Sequence, residues 1–197
     1  MGLGGRGLAA ALVLLLEGCA ALPGFTPDTG ARTTFVPTPP PAAFHLEGRV
    51  AVRHGEESFS GGLAWKRMGR FEELLLNTPL GQGVAEIRSD PDGVALTDAK
   101  GQTLRAADPD TLARQALGLE LPLRGLGWWV VGQPRPDTPY RAEPDADGRL
   151  AVLEQDDWRI EFSRYAPQGE RPLPGKLLAR RGDALEVRLV VDRWELP

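Results

Sequence analysis

The chain has 197 residues, 42% hydrophobic and 25% charged, which suits one globular domain with a buried core. Its formal net charge is −4, and removing the first eighteen residues takes away only Arg6 and Glu17, so the balance does not change. Nucleic acid is disfavoured as a partner, because phosphate neutralisation needs a concentrated basic face and none is visible.

The amino terminus reads as a targeting segment. Arg6 supplies a positive start, Leu8 to Leu16 an apolar run too short for a comfortable membrane span, and Gly18-Cys19-Ala20 a small-residue cleavage neighbourhood, so residues 1–18 are expected to be a signal peptide. Cys19 is the only cysteine, which rules out an intrachain disulfide and leaves either an incidental thiol or a point of modification. Leu16-Glu17-Gly18-Cys19 resembles a bacterial lipobox with a charged residue, Glu17, inside it; that resemblance implies that Cys19 becomes the lipidated first residue. In the same pattern, Ala20 after the cysteine favours the outer membrane. A multi-chain anchor holds stably where one acyl chain does not. Residues 19–43 are rich in Pro, Thr, Gly and Ala, with Pro37 and Pro39 to Pro41 in close succession, and are expected to be an extended tether.

The domain proper, residues 44–197, opens with period-two alternation. Phe44, Leu46, Val50 and Val52 share one face of a half-buried strand, and His45, Glu47, Arg49 and Arg53 the other. Phe59, Leu63 and Trp65 continue in a second strand, where Gly61 and Gly62 allow a bulge or a close backbone approach. Further strands are expected over Phe71 to Leu76, Val84 to Arg88, Val94 to Thr97 and Gln102 to Ala106.

Between the third and fourth of these, Asn77-Thr78-Pro79-Leu80-Gly81 places a bulky apolar residue where a turn is normally polar. Leu80 either folds back onto its own sheet or is an apolar probe held out for a greasy partner.

The period changes at Asp108, an N-cap followed by Pro109 at the first helical position, with Leu112 and Ala116 on one face and Gly118 as the stop. A second helix after Pro122 puts Leu123, Leu126, Trp129 and Val130 at helical spacing, interrupted by Gly125 and Gly127. Trp128 and Trp129 either cap the core or line the mouth of a cavity. After a loop over Gln133 to Asp137, strands resume around Leu150 and Val152 and around Trp158, Ile160 and Phe162, joined by a turn at Gln155 to Asp157. Leu173 to Arg180 and Leu185 to Trp194 follow. Roughly ten or eleven strands and two helices form a mainly β fold, an antiparallel sheet curled around a helical plug or lid. Of its inward residues, Leu63, Trp65, Leu75, Ile160, Phe162, Leu189 and Val191 are expected to divide between core and cavity wall, with Trp129 beside them.

Catalytic and metal constellations are missing from the pattern. Ser58 or Ser60 near His45 is the only nucleophile and base grouping, without a Gly-x-Ser-x-Gly elbow, and two histidines without cysteine or a spaced carboxylate pair do not specify a metal or cofactor. Glu56-Glu57, Glu72-Glu73 and Asp156-Asp157 read as solvated turn or edge charges.

Taken in order, Phe44 to Val52, Phe59-Ser60-Gly61 to Ala64-Trp65, Leu74 to Gly81, Leu121-Pro122-Leu123 to Trp129, Val131-Gly132-Gln133-Pro134 and Val190 to Trp194 resemble the LolB family of outer-membrane lipoprotein receptors. The resemblance implies an unclosed, half-barrel antiparallel sheet of about eleven strands with a helical lid over a hydrophobic cavity. It also implies that no enzyme chemistry is involved, and that a LolA-like periplasmic carrier hands over acylated lipoproteins for insertion among outer-membrane lipids by a monomeric receptor. The family's membrane-delivery loop falls on Pro79, Leu80 and Gly81. The competing expectation is an envelope scaffold lipoprotein with a filled core and no ligand cavity.

Overall fold

The computed structural model describes residues 34–117, 121–136, 138–169 and 171–197. The expected signal peptide, Cys19, the tether as far as residue 33 and the Gly118 helix stop lie outside these. Thr33–Pro197 form one compact unit, which contains both hydrophobic clusters of the described residues and so carries its own core.

Six consecutive strands form an antiparallel meander: β1 (Ala43–His54), β2 (Glu57–Met68), β3 (Phe71–Asn77), β4 (Gly83–Asp90), β5 (Gly93–Asp98) and β6 (Thr103–Ala106). Helices α1 (Pro109–Leu117) and α2 (Leu123–Trp129) follow, then β7 (Tyr140–Pro144), β8 (Leu150–Gln155) and β9 (Trp158–Ser163). A separate small hairpin, β10 (Ala166–Gln168) with β11 (Arg171–Leu173), precedes β12 (Lys176–Arg181) and β13 (Leu185–Glu195). The last strand pairs with the first, which gives an 11-stranded sheet in the order β6-β5-β4-β3-β2-β1-β13-β12-β9-β8-β7. Strands β6 and β7 are its two edges, so the sheet is unclosed, as expected.

The local chemistry explains most joints. At the β8–β9 hairpin, Asp156 and Asp157 take φ of 54° and 63°, the left-handed pair that a two-residue turn needs and that aspartate tolerates. The expected single strand from Leu173 to Arg180 is instead broken at Pro174-Gly175. There Gly175 N–H lies between the carbonyls of Ser163 and Arg164, and a Cβ would meet the Arg164 oxygen at 2.5 Å. Strand β7 was not expected, because Tyr140-Arg141-Ala142-Glu143-Pro144 shows no apolar alternation; as an edge strand it needs little, and it tolerates its proline.

The core lies on the sheet's inner face. Phe44 packs edge-on against both Trp65 and Trp194, with ring centroids 5.8 and 5.4 Å apart. Leu46, Leu153, Ile160, Leu177 and Leu189 fill in around them. The outer face of the β1-to-β8 half instead carries cross-strand ion pairs, among them Arg193–Glu47 at 2.9 Å, Arg49–Asp192 at 2.7 Å, Arg180–Glu186 at 3.0 Å and Arg159–Glu154 at 3.1 Å. Exposed pairs of this kind stabilise little, but they keep this surface wet.

A bulge sets the phase of the last strand. Glu47 opposes Arg193 while Gly48 opposes Val191, so Asp192 is an extra residue in β13. Leu185, Val187, Leu189 and Val191 therefore face inward at odd positions and Trp194 at an even one. Gly48 makes the close approach possible, since a Cβ there would sit 2.3 Å from the Val190 carbonyl oxygen. At Gly62 a Cβ would meet only Asn77 Cβ at 3.8 Å, an ordinary contact. Gly48→Ala is expected to destabilise by at least about 1–3 kcal/mol, whereas Gly62→Ala is expected to be neutral or to stabilise by up to about 1 kcal/mol. Urea midpoints of the two variants against the parent check this pair.

Candidate functional site

Between the inner face of β2 to β5 and the two helices lies a cavity of about 330 Å³. Trp65, Leu74, Ile87 and Val94 line it from the sheet, and Leu123, Leu126 and Trp128 from α2. Most of its wall is apolar, which is what a binding site for a hydrocarbon ligand requires.

Polar groups also line it, namely Arg67, Glu72, Ser89, Arg124 and Arg135, and the most buried of the charged ones is Arg67. Arg67 is 8% exposed, and its Nε and Nη2 lie 3.0 and 2.8 Å from Oε1 of Glu72. Trp65 Nε1 donates to the other carboxylate oxygen at 3.0 Å. The guanidinium also sits 4.9 Å from the centre of the Phe44 ring. Glu72 is thus not the solvated charge that the sequence suggests: it pairs with Arg67 and with Ser89 across the sheet, on the inward side. Its neighbour Glu73 does face outward, and the hydrogen bond from Arg88 holds its carboxyl below the usual range.

The helices that roof the cavity are clasped to each other. Arg124 donates through its backbone N–H and through Nε to the two oxygens of Asp110, at 3.1 and 2.9 Å, so α2, which has no side-chain N-cap of its own, is capped by α1. The far end of α2 is fixed to the sheet, where Trp129 Nε1 donates to Gln155 Oε1 at 3.0 Å and the Trp129 ring lies 6.2 Å from that of Trp158. Both helix glycines are explained by what they admit. A Cβ at Gly125 would lie 2.7 Å from the Trp129 ring, and one at Gly127 would lie 2.5 Å from Arg67 Nη2. Helix α1 packs through Leu112 on a small buried cluster with Ile87 and Val94, and through Ala113 on the main core.

Leu80 is 89% exposed. Its turn is nevertheless well ordered by hydrogen bonds: Gly81 N–H donates to Thr78 O at 2.9 Å, Thr78 N–H to Gln82 O at 2.8 Å, and Gln82 N–H to the Thr78 hydroxyl at 3.2 Å. Pro79 presets its own φ, and Gly81 takes a φ of 84° that disfavours any other residue. Other exposed large apolar residues, Met68, Phe71 and Leu75, sit on β2 and β3, whereas the Leu80 turn joins β3 to β4.

The expected cavity residues fall into three groups. Trp65 lines the cavity. Leu63, Trp129, Ile160, Phe162 and Leu189 are buried in the core, and half-buried Val191 packs against it. Leu75 is a correction: it pairs with Ala64 and Glu86 on the outer face and is 39% exposed, while Leu74 and Leu76 point inward. Of the two tryptophans, Trp129 caps the core and Trp128 lines the cavity. The Ser58, Ser60 and His45 grouping does not assemble. Ser58 and Ser60 pair with Arg53 and Ala51, far down β1 from His45, a span of about 20 Å at ~3.3 Å per residue, and His45 meets Glu195 instead.

Residues 42–194 match the family described as outer membrane lipoprotein LolB. The chain is 42% identical to the outer-membrane lipoprotein LolB of Thiobacillus denitrificans, covering 94% of this chain and 95% of that one. It is 37% identical to the LolB of Nitrosomonas europaea, covering 93% and 89%. Among solved structures, a LolA superfamily protein from Nitrosomonas europaea superposes with a TM-score of 0.52 at 9% identity, covering 82% of this chain and 89% of that one. A lipoprotein-sorting protein domain from Vibrio parahaemolyticus gives 0.53 at 10% identity, covering 78% and 85%. At such identities these likenesses concern the fold.

The start of the roof has a measurable pH signature. The Thr111 N–H and hydroxyl both donate to Asp108, and they hold its carboxyl below the usual carboxylate range. A native value below the unfolded one means that the contribution is present above about pH 3.9 and is lost as pH falls through the depressed folded value. Asp108→Ala is expected to cost about 1 kcal/mol near neutral pH, and the gap to the parent is expected to close in acid. Urea melts at stepwise lower pH measure it; a gap independent of pH would contradict the charged cap.

Proposed function

Because the chain belongs to the LolB family of outer membrane lipoproteins, we propose that it receives acylated lipoproteins from a LolA-like periplasmic carrier. It shelters their acyl chains between α2 and the sheet and releases them into the outer membrane beside the Leu80 turn. Exposing an acyl chain to water costs about 0.8 kcal/mol per methylene, so a cargo with two or three chains needs cover throughout. Handing it over makes and breaks no covalent bond. An apolar cavity under a displaceable roof is sufficient, and direction follows from differences in affinity. At about 330 Å³ the cavity is at the small end of the usual ~300–1,000 Å³ for ligand sites, so a full cargo requires α1 and α2 to shift outward.

The single observation that carries the delivery step is Leu80, a bulky apolar side chain 89% exposed on a hydrogen-bonded turn. A leucine in that position gains about 1.5–3 kcal/mol by entering a lipid surface. The reading includes a monomer divided into a signal peptide over 1–18, a lipid-anchored Cys19 on a tether to residue 43, and the binding domain over 44–197. Against the scaffold alternative stands the apolar cavity itself, which a filled core would lack.

Two outcomes are expected. Leu80→Ala changes stability by less than about 0.5 kcal/mol. Leu80→Glu keeps cargo uptake from the carrier but impairs its transfer into vesicles of outer-membrane lipid, since a carboxylate there adds a desolvation cost. Transfer assays with loaded carrier and the two variants test this, and a Leu80→Glu protein that delivers at the parental rate would overturn the proposed role. Mass spectrometry of the protein from the envelope is expected to show a chain beginning at acylated Cys19; an intact Arg6 would refute the anchor.

A further inference from the structure

Arg67 is a cation in the wall of a mostly apolar cavity, and its partners do not use all of its donors. Nε and Nη2 both face Glu72, the ring contact with Phe44 occupies one face of the guanidinium, and Gly127 of α2 lies against Nη2. No hydrogen bond among the described residues uses Nη1, although the residue is more than nine-tenths buried. Among the described residues no buried side-chain nitrogen or oxygen lacks a partner, so Nη1 is not sealed off. Arg67 lines the cavity between α2 and the sheet.

We propose that Arg67 Nη1 is the donor that reads the polar junction of the lipid, hydrogen-bonding an acyl ester carbonyl where the hydrocarbon chain meets its glyceryl headgroup. This rests on the reading of the cavity as an acyl-chain site. The pairing with Glu72 selects the kind of acceptor. Arginine and carboxylate side by side carry no net charge, so an anion entering here gains little attraction and still loses its hydration, whereas a neutral carbonyl needs one donor and nothing more. Of the other donors in the wall, Trp65 Nε1 is committed to Glu72, while Arg124 and Arg135 are paired with Asp110 and Asp156 and their side chains are 53% and 25% exposed, against 10% for Arg67, so water competes for their remaining donors. The apolar residues around Arg67, namely Leu74, Leu126 and Trp128, then hold the methylenes that follow the carbonyl.

The test compares ester and ether isosteres, which differ in the carbonyl and keep the chains. The chain from Ala20 onward retains the whole compact unit, and it is titrated with a fluorescent lipopeptide bearing a dipalmitoylglyceryl thioether cysteine and with its dihexadecyl ether counterpart. The parent is expected to bind the ester about tenfold more tightly, as one hydrogen bond from a charged donor allows. In Arg67→Met/Glu72→Gln, where glutamine still accepts from Trp65, the ester-to-ether ratio is expected to fall to about one. Equal affinities in the parent, for this pair and for the phospholipid pair below, would overturn the proposal whatever the variant does. A ratio preserved in a variant whose thermal melt shows it folded would also overturn it, because another donor would then read the carbonyl. Failure of the parent to bind either lipopeptide would instead refute the cavity reading beneath it. Repeating the ratio with dipalmitoyl phosphatidylethanolamine and its dihexadecyl ether identifies the source of the carbonyl, cargo or membrane lipid, and a ratio near tenfold with either supports the proposal.

Discussion

An antiparallel sheet of eleven strands has far more inner face than two short helices can cover, and the rest of the molecule follows from that mismatch. Helices of nine and seven residues are about 14 and 10 Å long at ~1.5 Å per residue. Over β1, β13, β12, β9 and β8 the sheet curls onto its own side chains, and large aromatics complete the packing. Over β2 to β5 the helices stand off, and the space left is the cavity. The Trp129 end of the roof is tied to Gln155 and lies tilted against Trp158, while α1 divides its buried residues between a small cluster at Leu112 and the main core at Ala113.

The polar features of the roof have a common logic: each replaces something the short helices lack. Helix α2 has no N-cap of its own, and Asp110 from α1 receives its Arg124 N–H. Gly125 and Gly127 weaken α2 as an isolated helix, but the first leaves room for the ring of the helix's own Trp129 and the second lets the helix lie directly on Arg67. A helix held by borrowed contacts is one that a ligand pushing on those contacts can move without melting the sheet below.

Much of the fold was legible because half-buried strands write their parity into the sequence. The alternation from Phe44 to Val52 and from Leu185 to Val191, the Asp108-Pro109 helix start and the Asp156-Asp157 turn each name their element, and the structure contains all of them. What was illegible lacked such a signature. Three consecutive leucines at 74 to 76 carry no parity, and only the pairing of Leu74 with Trp65 decides that Leu75 looks outward. Strand β7 sets only small Ala142 against the core, so it shows no apolar alternation. In the site, Leu80 was visible as an apolar residue in a turn, but Arg67 was not. Within Trp65-Lys66-Arg67-Met68 two adjacent basic residues stand between large apolar ones, and burial distinguishes inward Arg67 from outward Lys66. The signal that could have found it lay elsewhere, in Gly127 of α2, which marks a helix pressed against something large.

The two free edges, β6 and β7, have a further physical meaning. In a closed barrel, strand number and shear together fix one radius, and the lumen can grow only if a hydrogen-bonded seam is torn. An arc with open ends obeys no such closure rule. It can uncurl by adding a few degrees of twist at each strand pair while every ladder bond stays made. The volume of its hollow is therefore a soft variable, changed at the energetic scale of side-chain repacking. The capacity of such a hollow is not dictated by strand count in the way that a closed barrel's is.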